Sequence, residues 1–502
     1  MYGQTGGFGG ITPILATDPL YGPSCFSPFG QHWTLTTRVN YAWRLVGYDQ
    51  PWSVDENDAN RAIAIIDSGI APLHPEFFGD TIIPSKIHSE SRSFFEGGDS
   101  LDLFCDCRES SYEPLSNVED TAWQFGVSHG TILAGLAAAY GDNGVGVAGN
   151  CWDCSLLILR VLAIQTSTYD PEECAAALEG CWYSEQTIAD AINFAAGWIP
   201  GLDPDYPNSW GPVRARVITT ALTTPSIYDD VCDDGNLIAK AVDNAFNRGC
   251  VIIAITGNQR PSGNSPPCWD TSIPGGPNCT EEGGWMPTGY PGLITHGLSL
   301  NPKTITVGGA CRTGAAWHCT SKVNPPMGDL GICGPGLYPN PAPDGTAPVI
   351  SVVAPIEEMV TVTASDEDLG CGVGYRYLDE YDSGTSWAAP QVAGVAALML
   401  KTDPTLTPTQ VKFILEVTAT DIDLPGYDRR TGHGLLNAQA AIEYVKKQEF
   451  PADWDGDGLV APIDAVLYAV DLAAGNAMTD LNLDATQTAD DMTIFLESYT
   501  GN

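Results

Sequence analysis

The 502-residue sequence predicts an α/β fold with a mostly parallel sheet and helices on both faces, and three observations carry that prediction. Short, unbroken apolar runs such as Ala62–Ile66 and Val251–Ile255 suit strands buried on both faces. These runs alternate with longer segments of helical periodicity, the pattern of strand–helix–strand units. Residues with chemical capability sit just past the strands or at helix starts, where sites form in such sheets.

In chain order, residues 1–50 are rich in Gly, Pro and aromatic residues and read as an irregular lead-in. The main body is expected over 51–448. Its strands are expected at Ala62–Ile66, Leu156–Leu162, Val217–Ala221, Val251–Ile255 and Thr304–Val307. Helices are expected at Gly130–Tyr140, Thr187–Ala196, Leu237–Arg248, Val392–Leu400 and Leu436–Lys447. Three inserts, Gly97–Phe125, Asn264–Pro291 and Gly314–Pro348, carry the Gly, Pro, Cys or acidic bias of surface loops. The polar stretch Lys446–Asp453 marks a boundary before a last small domain over 453–502.

Composition narrows the functional classes. Hydrophobic residues make up 43% of the chain, enough for a sizeable core, and no run approaches the ~18 apolar residues of a membrane span. The 62 acidic against 22 basic residues give a net charge of −40, which disfavours nucleic acid and anionic membranes as partners. It favours cation binding and is compatible with a saline habitat. Met1–Gly30 lacks Lys, Arg and an apolar signal core, so a secreted protein would have lost its signal and pro-segment before this sequence begins. The 15 cysteines, several closely spaced, read as disulfides of an oxidising compartment rather than zinc ligands; Cys151-Trp152-Asp153-Cys154 has zinc-knuckle spacing but no second such pair follows. The odd count leaves at least one thiol free or bonded between chains.

Four residues stand where nucleophilic catalysis would need them. Asp67 follows a buried strand directly, in Asp67-Ser68-Gly69, and could orient a histidine; an ordinary turn aspartate is the alternative. His129 opens an apolar helix and could act as general base, or be a surface histidine at a helix start. Asn258, in Thr256-Gly257-Asn258, could aim its amide at an oxyanion, or simply close a turn. Ser386, in Gly384-Thr385-Ser386-Trp387-Ala388-Ala389-Pro390, stands at the positive end of an apolar helix as either nucleophile or N-cap. Turns alone do not readily account for the joint order Asp, His, Asn, Ser.

The chain resembles the subtilisin-like serine proteases, or subtilases, over about residues 18–447. The resemblance rests on Ile65-Ile66-Asp67-Ser68-Gly69-Ile70, Ser128-His129-Gly130-Thr131 with Ala134-Gly135, Asn143–Gly149, Thr256-Gly257-Asn258, the Ser386 segment, and Gly432–Ala438. Asp18-Pro19-Leu20-Tyr21 with Trp33 is similar to the start of the mature enzymes. It implies a three-layer subtilisin-like fold and an endopeptidase acting on peptide or protein substrates. Ser386 would be the acylated nucleophile, His129 the base and then acid, Asp67 its orienter, and Asn258 with the Ser386 N–H the oxyanion hole. The chain departs from the family at Ser128, usually Gly; at Ile132-Leu133, usually His-Val; and at Trp387, usually Met. Thr220-Ala221-Leu222-Thr223 falls where the family has its substrate strand but lacks that strand's glycine, a departure in how substrate would pair; Leu222 and Gly257 are expected in the specificity pocket.

In the last domain, Asp453, Asp455, Asp457 and Asp464 fall at positions 1, 3, 5 and 12 of an EF-hand-type loop, with Leu459 at the carbonyl position 7. A second loop has Asp480, Asn482, Asp484, Thr486 and Asp491 at the same positions, but Ala485 where the first has Gly458, so weaker binding is expected. Two Ca²⁺ ions are therefore expected, and further sites in the catalytic body are left open. Each loop leads into a helix, and the duplicated unit resembles a dockerin domain. That implies a cohesin-like or cell-surface partner, with Ca²⁺ that merely folds the tail as the alternative. The overall expectation is a secreted serine endopeptidase; a catalytically idle subtilase scaffold on an extracellular surface is the competing one.

Overall fold

The computed structural model describes residues 11–23, 30–78, 85–94, 128–161, 185–222, 237–256, 297–310, 350–364, 371–378, 384–422, 425–427, 431–449, 451–454, 459–482 and 486–500. Its first elements lie in the segment read as irregular. Helices α1 (His32–Thr36) and α2 (Val39–Leu45) bury Trp33 and Trp43 in the main core. The Gly- and Pro-rich composition around them hid two short helices whose aromatic residues anchor them.

Seven parallel strands make up the main sheet: β1 (Ala62–Asp67), β2 (Arg92–Ser93), β3 (Ser155–Arg160), β4 (Val217–Thr220), β5 (Val251–Ile255), β6 (Thr304–Ala310) and β7 (Ile350–Pro355). Their order across the sheet is β2-β3-β1-β4-β5-β6-β7. A separate antiparallel hairpin pairs β8 (Met359–Val362) with β9 (Tyr375–Leu378). The chain leaves β1 toward β3 on one side and later continues from β4 on the other. The carboxyl end of β1 is therefore a topological switch point, where open α/β sheets form their sites.

Twelve helices lie among the described residues. After α1 and α2 come α3 (Pro75–Phe78), α4 (His129–Ala138), α5 (Glu185–Ala195), α6 (Leu237–Asn247) and α7 (Gly297–Leu300). They are followed by α8 (Ala389–Thr402), α9 (Pro408–Thr418), α10 (Ala438–Glu449), α11 (Pro462–Ala473) and α12 (Ala489–Thr500). The strand pleat sorts the core into two layers. Ile63, Ile65, Ile158 and Ile253 face one side with Ile132 and Leu136 of α4 and Val392 of α8. Ala64, Ile66, Leu157 and Ile252 face the other with Ile192 of α5 and Val242 of α6. This double burial is why the strands read as unbroken apolar runs.

Of the cysteines, Cys151 and Cys154 form a disulfide and Cys371 is disulfide-bonded. Cys250 is a free, buried thiol whose pKa burial pushes up to about 12. The other closely spaced pairs lie outside the described residues. Among the described residues, no helix is long and apolar enough to cross a membrane.

Candidate active site

Asp67 ends β1, paired with Arg160 of β3 and one residue past Ile66, the last residue of β1 paired with β4, so its backbone continues a strand laddered on both sides. Its side chain is 1% exposed. Oδ1 accepts the Ser68 N–H at 2.8 Å and lies 2.8 Å from His129 Nδ1. His129 is the first residue of α4 and keeps 22% of its side chain exposed. That geometry suits an orienting carboxylate: one face of the imidazole is anchored and the rest is open to a reactant.

Two further bonds tie the turn after β1 to the first turn of α4. Gly130 N–H donates to Ser68 Oγ at 2.8 Å, and Ala71 N–H donates to Thr131 Oγ1 at 3.1 Å. A Cβ on Gly130 would stand 2.3 Å from the Gly69 carbonyl oxygen, so only glycine allows this approach. The sequence left Ser68 and Thr131, which accept these bonds, without a role, although both lie within the quoted motifs.

Ser128, directly before His129, has φ 31° and ψ 40°. For a residue with a Cβ this left-handed conformation costs about 1–2 kcal/mol, which explains why glycine is usual here. The serine is fully buried, and its Oγ accepts the Thr363 hydroxyl and the Ala364 N–H, each at 3.0 Å.

Ser386 lies in a 3₁₀ turn, Thr385–Trp387, that leads directly into α8. It is 5% exposed. The turn packs against α4 and β6, and the Trp387 ring lies 5.2 Å from the His129 ring, tilted by 44°. The serine turn and the histidine helix therefore adjoin at the carboxyl end of β1. Gln391, one turn into α8, donates Nε2 to the Trp387 and Pro355 carbonyls, both at 2.7 Å, and so fixes the turn to β7. Asn258 and Gly257 lie outside the described residues. Leu222, just beyond β4, is buried in the apolar layer with Ile188 and Ile238.

A second polar cluster involves residues for which the sequence reading named no site. Asp18 accepts the N–H groups of Asp142, Asn143 and Gly144 at 2.7–3.1 Å. Glu76 accepts from Val147 N–H at 2.9 Å, Tyr375 O–H at 3.1 Å and Asn143 Nδ2 at 3.3 Å. Burial pushes the Asp18 carboxyl up to about 6 and the Glu76 carboxyl up to about 8, the latter raised further by Asp18. The two buried carboxylates repel each other, and Asn143 turns its Nδ2 to Glu76 while its Oδ1 accepts the Val145 N–H at 2.8 Å, so N–H and O–H donors, not oxygens, face them. Asp18 and Asn143 were in quoted motifs; Glu76, buried on a four-residue helix, had no such signal.

At the C-terminus, Asp464 and Asp491 are both fully buried, each early in its helix. Asp464 accepts the Ala461 N–H at 2.7 Å. Asp491 accepts from Leu481, Asn482 and Thr488 N–H groups at 2.8, 3.1 and 2.7 Å. Asp480 is buried, Asp453 and Asn482 are partly buried, and Leu459 and Thr486 are exposed. Asp455, Asp457 and Asp484 lie outside the described residues. A small core of Trp454, Tyr468, Leu481 and Phe495 holds the unit together, with Tyr468 and Phe495 stacked at 4.1 Å.

The Subtilase family model, Peptidase_S8, matches residues 58–434. Fervidolysin of Fervidobacterium pennivorans is 23% identical over 414 residues, covering 80% of this chain and 44% of that protein. An extracellular serine protease of Serratia marcescens is 22% identical over 445 residues, covering 82% and 36%. Subtilisin amylosacchariticus of Bacillus subtilis subsp. amylosacchariticus is 25% identical over 389 residues, covering 77% and 66%. The chain thus spans less than half the length of the first two relatives.

Proposed function

The chain belongs to the subtilase family, and on that premise we propose that it is a secreted serine endopeptidase acting through Asp67, His129 and Ser386. The observation that carries the reading is the 2.8 Å His129–Asp67 contact at the sheet's switch point, with the Ser386 turn packed on the same helix. In the proposed reaction His129 Nε2 takes the Ser386 hydroxyl proton as Oγ attacks the scissile carbonyl carbon. Asp67, accepting from Nδ1, keeps the imidazole in the tautomer that can receive it. The Ser386 N–H and the Asn258 amide bear the oxyanion of the tetrahedral intermediate. His129 then donates its proton to the leaving amine, and water releases the acyl group by the same steps in reverse. Leu222 and Gly257 are proposed to border the substrate.

Ca²⁺ is the proposed metal. Asp453, Asp455, Asp457, Leu459 and Asp464, and then Asp480, Asn482, Asp484, Thr486 and Asp491, would hold it in the C-terminal unit. Carboxylate and carbonyl oxygens suit this hard ion, whose chemistry here is charge neutralisation and loop ordering. The C-terminal unit is proposed as dockerin-like, with a cohesin-like or cell-surface partner.

The deciding experiment treats the folded protein with a fluorophosphonate. Labelling that maps to Ser386 and vanishes in Ser386→Ala is the expected result. Equal casein hydrolysis by wild type and Ser386→Ala would sink the reading and favour the idle scaffold.

A further inference from the structure

We propose that Ser128 is a positioning residue through which the β8–β9 hairpin sets the orientation of His129. The inference rests on the reading of His129 as general base. A left-handed serine at a fully buried position persists only where its surroundings over-determine it, and strain of this kind gathers at functional sites. The surroundings here are specific. Both acceptor positions of Ser128 Oγ are filled from one short segment beyond β8, by Thr363 Oγ1 and by the Ala364 N–H at 3.0 Å each. Thr363 is itself tied across the hairpin, its N–H donating to the Gly374 carbonyl at 2.8 Å.

The hairpin also meets α4 at a second point, two turns further on. A Cβ on Gly135 would stand 2.3 Å from Val362 Cγ2, so the strand and the helix are in direct backbone-to-side-chain contact. The histidine is thus gripped from two directions. Ser68 and Asp67 hold the residues that follow it and its ring, while the hairpin holds the residue that precedes it. A glycine in place of Ser128 would accept the backbone angle without strain but would present no hydroxyl to the hairpin. The clamp is therefore this chain's own replacement for a relaxed glycine, and it makes the imidazole sensitive to how the hairpin sits.

Three variants of the full chain test this: Ser128→Ala, Ser128→Gly and Thr363→Val. Each is assayed for kcat and KM on a chromogenic peptide, for the pH profile of kcat/KM, and by NMR for the His129 Nδ1 proton. The Ala and Gly variants are expected to lose kcat about tenfold to a hundredfold with KM within twofold, since small misplacements of a catalytic group have effects of this size. Their acid limb shifts, and the Nδ1 resonance broadens through faster exchange. Thr363→Val shows a smaller loss of the same kind. Ser128→Gly separates strain from clamping: it melts no lower than Ser128→Ala yet recovers no kcat. Should Ser128→Ala fail to fold, Thr363→Val and Ser128→Gly carry the decision.

Folded variants with wild-type kcat, pH profile and Nδ1 resonance would overturn the proposal, as would full recovery of kcat in Ser128→Gly. A wild type that never reacts with fluorophosphonate defeats the endopeptidase reading instead. In that case the Nδ1 resonance, which needs no turnover, still decides whether Ser128 positions the ring.

Discussion

The carboxyl end of β1 and the C-terminal unit both bury aspartates, but they hold them by different means. Asp67 sits at the end of a strand paired on both sides, beneath two apolar layers formed by much of the sheet. Its geometry is set by covalent continuity with a rigid strand and by short contacts to Ser68 and His129. Asp464 and Asp491 are buried over a core of four main side chains. Their carboxylates fold back onto backbone N–H groups of their own loops, and no Lys or Arg follows Lys447 in the sequence. A core that small supplies little stability by itself, and small units of this kind usually depend on a metal or a neighbour. Order at the candidate catalytic site is therefore built into the sheet, whereas the tail rests on a core of four main side chains and on carboxylates bonded to their own loops.

The largest expected effect tests the first half of that contrast. Asp67→Asn should leave the fold intact, because Asp67 ends a strand already paired on both sides, while kcat falls on the order of 10⁴-fold as the imidazole loses its orienting acceptor. Melting and peptide hydrolysis measured on the same sample check it. A variant that unfolds with its activity would mean that Asp67 serves packing rather than chemistry. Phe495→Ala probes the other half. Removing the ring stacked on Tyr468 and set edge-on to Trp454 should destabilise the tail by about 3–5 kcal/mol. Hydrogen exchange should then speed up in α11 and α12 and stay unchanged in β1. Equal loss in β1 would show that the two regions form one cooperative unit.

The contrast also explains what was legible in the sequence. Strands β1, β5 and β6 were readable because burial on both faces writes an unbroken apolar run, and α4 and α8 because they are apolar nearly all round. Asp67, His129 and Ser386 were readable because each follows or opens such an element. The clamp on Ser128 was not, since its partners are 235 and 236 residues away and neither Thr363 nor Ala364 carries a recognisable motif. Helices α1 and α2 and the β8–β9 hairpin were missed for a related reason: they are short, and their burial comes from tertiary contacts rather than local periodicity; strand β7, an apolar run as long as β1, was passed over directly after an insert read as surface loop. The pairing of Asp18 with Glu76 through the 142–147 loop is likewise visible only in three dimensions.

A smaller effect is expected from Asp491→Ala, which strands three backbone N–H groups in the second acidic loop. Hydrogen bonds to a charged acceptor contribute about 1.5–3 kcal/mol, so the loop and the start of α12 should open by about that amount. Added Ca²⁺ should not restore protection, because the variant loses both these bonds and a proposed Ca²⁺ ligand. Full restoration by Ca²⁺ would instead mean that the loop binds the metal without Asp491 and would remove that residue from the proposed ligand set.

The smallest predicted effect lies where the two regions meet. Tyr444, buried in α10, donates its hydroxyl to the Asp480 carbonyl at 2.9 Å, and Gln448 Nε2 reaches the same oxygen at 3.4 Å. The first residue of the second acidic loop is thus gripped by the last helix before the boundary, and Lys447 lies 4.1 Å over the Trp454 ring beside it. Tyr444→Phe removes one of two donors to that carbonyl and keeps the ring's packing, so the loss is that of a single neutral hydrogen bond, about 0.5–1.5 kcal/mol. Amides of 459–482 should exchange a few-fold to about tenfold faster, with kcat and the exchange of β1 unchanged. If kcat falls as well, the tail supports the candidate active site through α10, and the division between a self-sufficient sheet and a dependent tail would have to give way to a single coupled structure.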